Sequence, residues 1–282
     1  MKRLNDWSGH HVLVTGGSSG IGLAIVRDLA ARGARLSVVS RDQAKLDAVA
    51  GEEPLAGRVA VQAADVCDAG ALAAAVAALT KEHGPVTDLI CSAGWVRPGY
   101  FEDLEPDLFQ YQMDVNYFGT LHAIRLVLPG MLQRGDGSIT CISSAAALIG
   151  IFGYTGYTAS KFALRGLCES LRMEMKPRGI HVAAVFPADV DTPQFAEEEP
   201  YKPRELKAIS GKIHPADPAA VAKVIIRGIE RRQAIIIPGW SNRMTCTLYR
   251  LLPGPMCAYG DSIVRKNLRR PAAAEFAPSS GR

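Results

Sequence analysis

The sequence contains no paired-cysteine motif, no apolar segment at its start and few acidic residues near its carboxyl terminus. None of its six cysteines belongs to a C-x-x-C pair or lies near a histidine at metal-ligand spacing, so we expect reduced thiols and no bound metal. The first residues include Lys2, Arg3, Asn5 and Asp6, which do not form the apolar core of a signal peptide. These absences predict a cytoplasmic protein.

Charge is absent between residues 137 and 160, a stretch about as long as a membrane span. The stretch is rich in serine, threonine and glycine, and Gly150, Gly153 and Gly156 would weaken a helix. We interpret it as a buried strand followed by a loop that lines a site.

The charge that is present is unevenly distributed. The formal net charge of the 282 residues is +4, and apolar residues make up 48% of a composition that is ordinary for a globular protein. Residues 240–282 hold seven basic and two acidic side chains, a net +5 that leaves −1 for the rest. A nearly neutral body without a basic stripe argues against nucleic-acid binding.

Short apolar runs alternate with helical patterns along most of the chain. This alternation predicts an α/β fold with one parallel sheet of about seven strands, covered by helices on both faces. The predicted strands are 11–14, 35–40, 59–63, 87–91, 138–143, 181–186 and 234–237. The predicted helices are 21–32, 43–50, 69–83, 108–133, 159–176 and 217–231.

The same patterns predict one domain with additions. The domain covers 8–239, and within it 194–216 breaks the rhythm and is predicted to leave the sheet beside the site. Residues 240–270 form a basic amphipathic extension, and 271–282, rich in alanine, proline and serine, are predicted to be disordered.

A glycine-rich turn joins the first strand to the first helix. It reads Thr15-Gly16-Gly17-Ser18-Ser19-Gly20-Ile21-Gly22, with the spacing G-x-x-x-G-x-G. Glycines let the backbone approach a pyrophosphate, and a helix amino terminus offers free N–H groups. The turn predicts a dinucleotide site, and a tight turn without ligand is the alternative.

The end of the second strand indicates which dinucleotide is bound. An acidic residue there would bond the ribose 2′-hydroxyl and repel a 2′-phosphate. The sequence instead has Ser40 and Arg41, followed by Lys45, which favours NADP(H) over NAD(H). The alternative is that Arg41 is only a solvated surface charge.

Four residues suggest proton-transfer chemistry. Tyr157 and Lys161 stand four apart at a predicted helix start, so the ammonium is expected to favour the phenolate of a tyrosine acid/base. Ser144 ends the fifth strand, where its hydroxyl can hold a substrate carbonyl oxygen. Asn116, inside the long helix, marks a bound water or a kink.

In this order the motifs resemble the short-chain dehydrogenase/reductase family over about residues 8–240. The resemblance implies a Rossmann-type doubly wound sheet, hydride transfer between nicotinamide and a ketone or alcohol, and a water relay at Asn116. Cys91-Ser92 replaces the asparagines of the family's N-N-A-G segment, and Ala188 replaces the glycine after Pro187. The implied cofactor-binding residues are Gly16, Ser18, Ser19, Gly20, Ile21, Gly22, Ser40, Arg41, Lys45, Asp65, Val66, Ala93, Gly94, Tyr157, Lys161, Pro187, Val190 and Thr192.

Several further stretches resemble 3-ketodihydrosphingosine reductases, which reduce a long-chain amino-ketone with NADPH. They include 101–105, 150–154, 189–198 and 261–265. The implied substrate residues are Ser144, Phe152, Tyr154, Asp189, Phe195, Glu197 and Glu198. The carboxylates of Asp189, Glu197, Glu198 and Glu199 are expected to receive the amine. A solvated charge run is the alternative for the glutamates, and core packing is the alternative for the aromatic residues.

Other functions stay open at this point. A reductase of another ketone, such as a 3-oxoacyl thioester, a steroid or a small carbonyl compound, has the same motifs, and a non-catalytic NADP-binding protein is a third class. The family resemblance implies a dimer or tetramer built on two long helices. The extension 240–270 is expected to lie on the inner face of an anionic membrane, or to pack on the substrate groove or a neighbouring subunit.

Overall fold

The computed structural model describes residues 6–53, 55–210 and 214–268. Its seven strands form one parallel sheet in the order β3-β2-β1-β4-β5-β6-β7. The strands are β1 His11–Thr15, β2 Arg35–Ser40, β3 Val59–Ala63, β4 Asp88–Cys91, β5 Gly137–Ile142, β6 Ile180–Val185 and β7 Ile235–Ile236. From β1 the chain adds β2 and β3 on one side of the sheet, and then β4 to β7 on the other side. In such folds ligands bind at this switch point, between β1 and β4. The predicted fold class is confirmed.

Helices cover both faces of this sheet and continue beyond it. They are α1 Gly20–Ala31, α2 Gln43–Gly51, α3 Ala69–His83, α4 Pro106–Met113, α5 Gly119–Arg134, α6 Thr155–Met175, α7 Pro193–Glu198, α8 Arg204–Ser210, α9 Pro218–Glu230, α10 Trp240–Leu251 and α11 Pro253–Asn267. Aspartates fix several starts: the Asp68 carboxylate accepts from the N–H groups of Gly70 and Ala71, both at 2.9 Å, which begins α3 at the predicted residue.

The core lies in two layers, one on each face of the sheet. Leu72 of α3, Ile124 of α5 and Leu164 of α6 belong to one cluster of buried side chains. Ile25 of α1 and Ile225 of α9 belong to the other, opposite cluster. All five residues of β1 are buried, as the unbroken apolar runs predict for a strand covered on both sides.

The predicted helix 108–133 is interrupted at its middle. A π-helical turn, Asp114–Phe118, separates α4 from α5. Single π turns widen a helix locally and turn a side chain inward. Here the turn contains Asn116, which is fully buried. Position 116 therefore does mark an irregularity, as one of its two interpretations predicted.

The segment 194–216 is more regular than its sequence indicated. It contains the end of α7 and all of α8, and the Thr192 hydroxyl caps α7 by accepting from the N–H of Phe195 at 3.2 Å. The helix predicted from 159 also begins earlier, at Thr155, so that Tyr157 lies in its first turn.

The carboxyl-terminal extension folds back on the body as two helices. The Asn242 amide donates to the carbonyl oxygens of Phe186 and Pro238, at 2.9 and 3.1 Å, which fixes α10 below the end of β6. The next helix, α11, packs against α8. Across 6–53, 55–210 and 214–268, the apolar length needed to cross a membrane occurs in no helix. The prediction of disorder over 271–282 lies outside the described residues.

Candidate active site

A cleft of about 690 Å³ opens at the carboxyl ends of the central strands. It is lined by all but one of the residues predicted to bind the cofactor, the exception being Gly22. It also takes in Ser144, Tyr154, Asp189, Phe195, Glu197 and Glu198, which were predicted to contact substrate. Phe152 does not line it, because its ring packs edge-on against Tyr100, with centroids 6.1 Å apart, in the small apolar cluster that contains Val96 and Leu206.

At two positions of the glycine loop any side chain would clash with neighbouring backbone atoms. Gly16 has φ +69°, and a Cβ there would stand 2.6 Å from the backbone nitrogen of Ala93. Gly22 lies buried under the loop, where a Cβ would be 2.3 Å from the carbonyl oxygen of Gly16. The loop and the first turn of α1 therefore present bare backbone to the cleft, which fits a pyrophosphate.

The far end of the cleft carries the side chains predicted for a 2′-phosphate. The Ser18 hydroxyl donates to that of Ser40 at 2.8 Å, which turns both hydroxyls toward the cleft. The exposed guanidinium of Arg41 contacts the Tyr111 hydroxyl and lies 3.7 Å from the Asp65 carboxylate. Since the pair is exposed, that carboxylate holds the guanidinium only weakly and leaves it able to contact an anion.

Tyr157 is half-buried, and its phenol lies next to Ser144. Burial raises the pKa of Tyr157, while the hydrogen bond with Ser144 lowers it. The sequence predicted that the Lys161 ammonium would favour the phenolate of Tyr157, and that effect stays a prediction. The Lys161 Nζ lies 5.6 Å from the centroid of the Tyr157 ring, and burial is the largest influence on the pKa of the phenol.

Hydrogen bonds with the end of β5 and the residue after it hold Lys161 in place. Its ammonium donates to the carbonyl oxygen of Ile142 at 3.1 Å, and the Ser143 hydroxyl donates to the Lys161 carbonyl oxygen at 3.3 Å. Burial lowers the pKa of Lys161 to about 8. A desolvated ammonium pressed against the cleft is available to ligand oxygens and to the phenol.

Asn116 ties two walls of the site together. Its amide oxygen accepts from the N–H of Trp95 at 2.9 Å, and its amide nitrogen donates to the Trp95 carbonyl oxygen and the Ser160 hydroxyl, both at 2.9 Å. A Cβ on Gly94 would lie 3.3 Å from this amide oxygen. Asn116 thus links the loop after β4 to α6; the relay water stays a prediction.

A network of charged groups closes the substrate side. The Tyr154 hydroxyl donates to the Glu198 carboxylate at 3.0 Å, and the Lys202 ammonium lies 3.1 Å from the same carboxylate. Burial raises the pKa of Glu198. Tyr154 in turn packs on Tyr157, with ring centroids 5.6 Å apart.

Sequence reasoning missed three side chains of this site: Trp95, Ser160 and Lys202. Ser160 had a usable signal, because it lies one residue before Lys161 and three after Tyr157, on the inner side of the same helix. Lys202 lies four residues after Glu198, yet the irregular pattern of this segment gave no helical spacing to pair them.

Proteins of similar sequence agree with what the geometry of the site indicates. The family model described as short chain dehydrogenase matches residues 10–202. The chain is 42% identical to the 3-dehydrosphinganine reductase of Danio rerio over 226 residues, which are 78% of this chain and 68% of that protein. It is 37% identical to the 3-ketodihydrosphingosine reductase of Dictyostelium discoideum over 241 residues, 79% of this chain and 72% of that protein.

Solved structures share the fold. A short-chain dehydrogenase from Streptomyces avermitilis superposes with a TM-score of 0.76 at 27% identity, covering 91% of this chain and 98% of that one. A short chain dehydrogenase from Burkholderia cenocepacia, solved with NADP, gives 0.76 at 22% identity, covering 90% of this chain and 98% of that one.

Proposed function

This chain belongs to the short-chain dehydrogenase family, and on that premise we propose that it reduces the 3-ketone of 3-ketodihydrosphingosine to the secondary alcohol of dihydrosphingosine, using NADPH. The observation that carries the substrate assignment is the 42% identity with a 3-dehydrosphinganine reductase over 78% of the chain. The domain proposed for this reaction is 8–239, with 194–216 on its substrate side.

The cleft has groups that suit both charged parts of NADPH, the pyrophosphate and the 2′-phosphate. The bare backbone of the glycine loop suits the pyrophosphate, and Ser40, Arg41 and Lys45 suit the 2′-phosphate. When bound, the cofactor supplies the hydride that the ketone carbon accepts. Asp65 and Val66 line the part of the cleft proposed for the adenine, and Pro187, Val190 and Thr192 the part proposed for the nicotinamide.

We propose that Tyr157 donates the proton that the substrate oxygen takes up. Its raised pKa keeps the phenol protonated at neutral pH, which is the state needed for reduction. Ser144, hydrogen-bonded to the phenol, is placed to share the same oxygen and to stabilise its developing negative charge. Lys161 stabilises the phenolate that remains. Asn116 holds the loop after β4 and helix α6 in fixed relative positions.

The substrate has a polar head and a long alkyl chain, and the cleft offers surfaces for both. The carboxylates of Asp189, Glu197 and Glu198 lie on the substrate side for the ammonium. The side chains of Ile151 and Phe195 line the same side and are proposed to contact the alkyl chain.

We propose that a second copy of the chain packs on α6. Its outward face exposes Phe162 and Met173, at 42% and 69% of their area, spaced so that both lie on one side of the helix. Exposed apolar side chains on a long regular helix suit an interface between identical subunits.

We also propose that the extension 240–270 rests on an anionic membrane surface. The outer side of α10 exposes Trp240, Met244, Leu248 and Leu251, with Arg243 and Arg250 along one border. An apolar stripe bordered by arginines fits acyl chains below anionic headgroups. Because α11 packs on α8, such contact would bring the membrane beside the substrate side of the cleft.

The function is tested by following the absorbance of NADPH with purified protein and 3-ketodihydrosphingosine. We expect steady consumption that requires the ketone and yields dihydrosphingosine. An acetoacetyl thioester serves as the competing substrate. Rapid turnover of the thioester with none of the amino-ketone would contradict the proposed function.

A further inference from the structure

The acidic side chains on the substrate side of the cleft are not equivalent, because two of them, Glu198 and Glu199, already have cations. Glu198 accepts from Tyr154 and pairs with Lys202. Glu199 lies 3.1 Å from the ammonium groups of both Lys202 and Lys207. The charges of both glutamates are therefore largely balanced within the protein.

Lys202 is fixed in this arrangement. Its side chain is only 6% exposed, and its Nζ lies 3.7 Å from the centroid of the Phe195 ring as well as against the two glutamates. A buried ammonium with an aromatic face and two carboxylates around it is costly to displace. A substrate ammonium would have to replace Lys202 in order to use Glu198.

Asp189 differs from these two glutamates, and also from Glu197, whose side chain is exposed to solvent. It lines the cleft and is partly buried, and among the described residues no side-chain hydrogen bond or ion pair engages its carboxylate. Burial raises the pKa of Asp189, the positive charge of Lys202 opposes that rise, and the negative charge of Glu199 adds to it. A partly desolvated carboxylate of this kind gains most from a cation that arrives with the ligand.

The backbone holds Asp189 in a fixed position. The N–H of Ala216 donates to the Asp189 carbonyl oxygen, and the N–H of Asp191 donates to the Ala216 carbonyl oxygen, each at 2.9 Å. These two bonds flank the bridge between Val190 and Ala216. The carboxylate is thus carried on a segment that is braced on both sides.

Asp189 also lies within electrostatic reach of the reacting oxygen. Its negative charge is among the influences that raise the pKa of Tyr157. In the proposed substrate the ammonium is bonded to the carbon next to the ketone. A substrate whose carbonyl oxygen meets Tyr157 therefore places its ammonium in the same small region of the cleft.

We infer that Asp189 is the counter-ion of the substrate ammonium and the residue that selects a 2-amino-ketone, while Glu198 and Lys202 form a fixed wall. This inference rests on the proposed function. It narrows that function to ketones with an adjacent cation.

The test compares two substrates of equal chain length: 3-ketodihydrosphingosine and the same hydroxy-ketone without its 2-amino group. We expect Asp189→Asn to lower kcat/KM for the amino-ketone about 10- to 100-fold, as expected for loss of a charge-assisted bond, and to change kcat/KM for the neutral ketone far less, through the pKa of Tyr157 alone. Glu198→Gln should affect both substrates alike. Asp191→Asn, an exposed neighbour, is the matched control and should change neither.

The pH dependence gives a second readout. Protonation of Asp189 removes its charge, so kcat/KM of the unmodified protein for the amino-ketone should fall as the pH drops, and Asp189→Asn should lack this fall. Equal loss on both ketones, or a selective loss in Glu198→Gln instead, would overturn the inference. An unmodified protein that reduces only neutral ketones would overturn the proposed function as well.

Discussion

At the residue scale, the site separates proton transfer from positioning. Tyr157 and Ser144 face the substrate oxygen in the proposed reaction, whereas Asn116 has its amide engaged by Trp95 and Ser160. Removing the phenol should stop the chemistry. Removing the amide of Asn116 should loosen the geometry on which the chemistry depends.

Tyr157→Phe removes the proposed proton donor and keeps the ring. We expect kcat to fall by at least about 100-fold, the lower range for loss of general acid catalysis, with NADPH affinity little changed. Steady-state rates measure the first effect, and nicotinamide fluorescence measures the second. A variant that retained a near-normal rate would show that the proton comes from elsewhere.

Arg41→Ala removes the proposed partner of the 2′-phosphate. Because that phosphate distinguishes NADPH from NADH, KM for NADPH should rise about 10-fold while KM for NADH stays nearly constant. Lys81→Ala, an exposed cation on α3, is the control and should alter neither constant. An equal rise with both cofactors would argue that Arg41 is a surface charge.

At the element scale, α10 is a helix with one side packed and the other open to solvent. Its inner side is fixed through Asn242 and contains the buried Cys246, while its outer side is apolar and open. Amphipathic helices of this kind normally bury their apolar side. A membrane surface would supply the missing contact.

Trp240→Ser combined with Leu251→Ser should reduce sedimentation with vesicles that contain an anionic phospholipid. These two side chains are 77% and 69% exposed, so the fold should be unaffected. Phe101→Ser, which removes a side chain 67% exposed on another surface, is the control. Binding should weaken in high salt, since arginines contribute. Equal sedimentation of the double variant would contradict the membrane proposal.

Elements were predictable where one strong local signal set each boundary. β2, β3 and α3 begin and end at the predicted residues, and α3 owes this to the Asp68 cap and to Gly84, which has φ 82°. An irregularity at Asn116 was predicted, but its form as a π turn was not, because the side chain of Asn116 bonds to Trp95 and Ser160, which are far away in sequence. The pairing of Glu198 with Lys202 was not predicted either, because a 3₁₀ turn lies between the two residues and interrupts the helical spacing.

At the scale of the whole molecule, topology brings together what the sequence separates. The glycine loop, Ser144 and Asp189 follow different strands, and parallel pairing places all three strand ends at one edge of the sheet. The motifs predicted this convergence. They left three places open for the extension, a membrane, the substrate groove or a neighbouring subunit, because no local signal pairs α11 with α8.

The strand order also makes the two ends of the chain unequal. β1 is the first strand in sequence but lies inside the sheet, between β2 and β4. Just before it, Trp7 is fully buried and donates to Glu230 at 3.1 Å. Deletion from the amino terminus beyond Asp6 therefore removes the centre of the core, whereas deletion from the carboxyl terminus back to Trp240 leaves all seven strands. A fusion partner or affinity tag at the carboxyl end is accordingly the safer choice for folding. A tag at the amino end is the safer choice where α10 has to stay free.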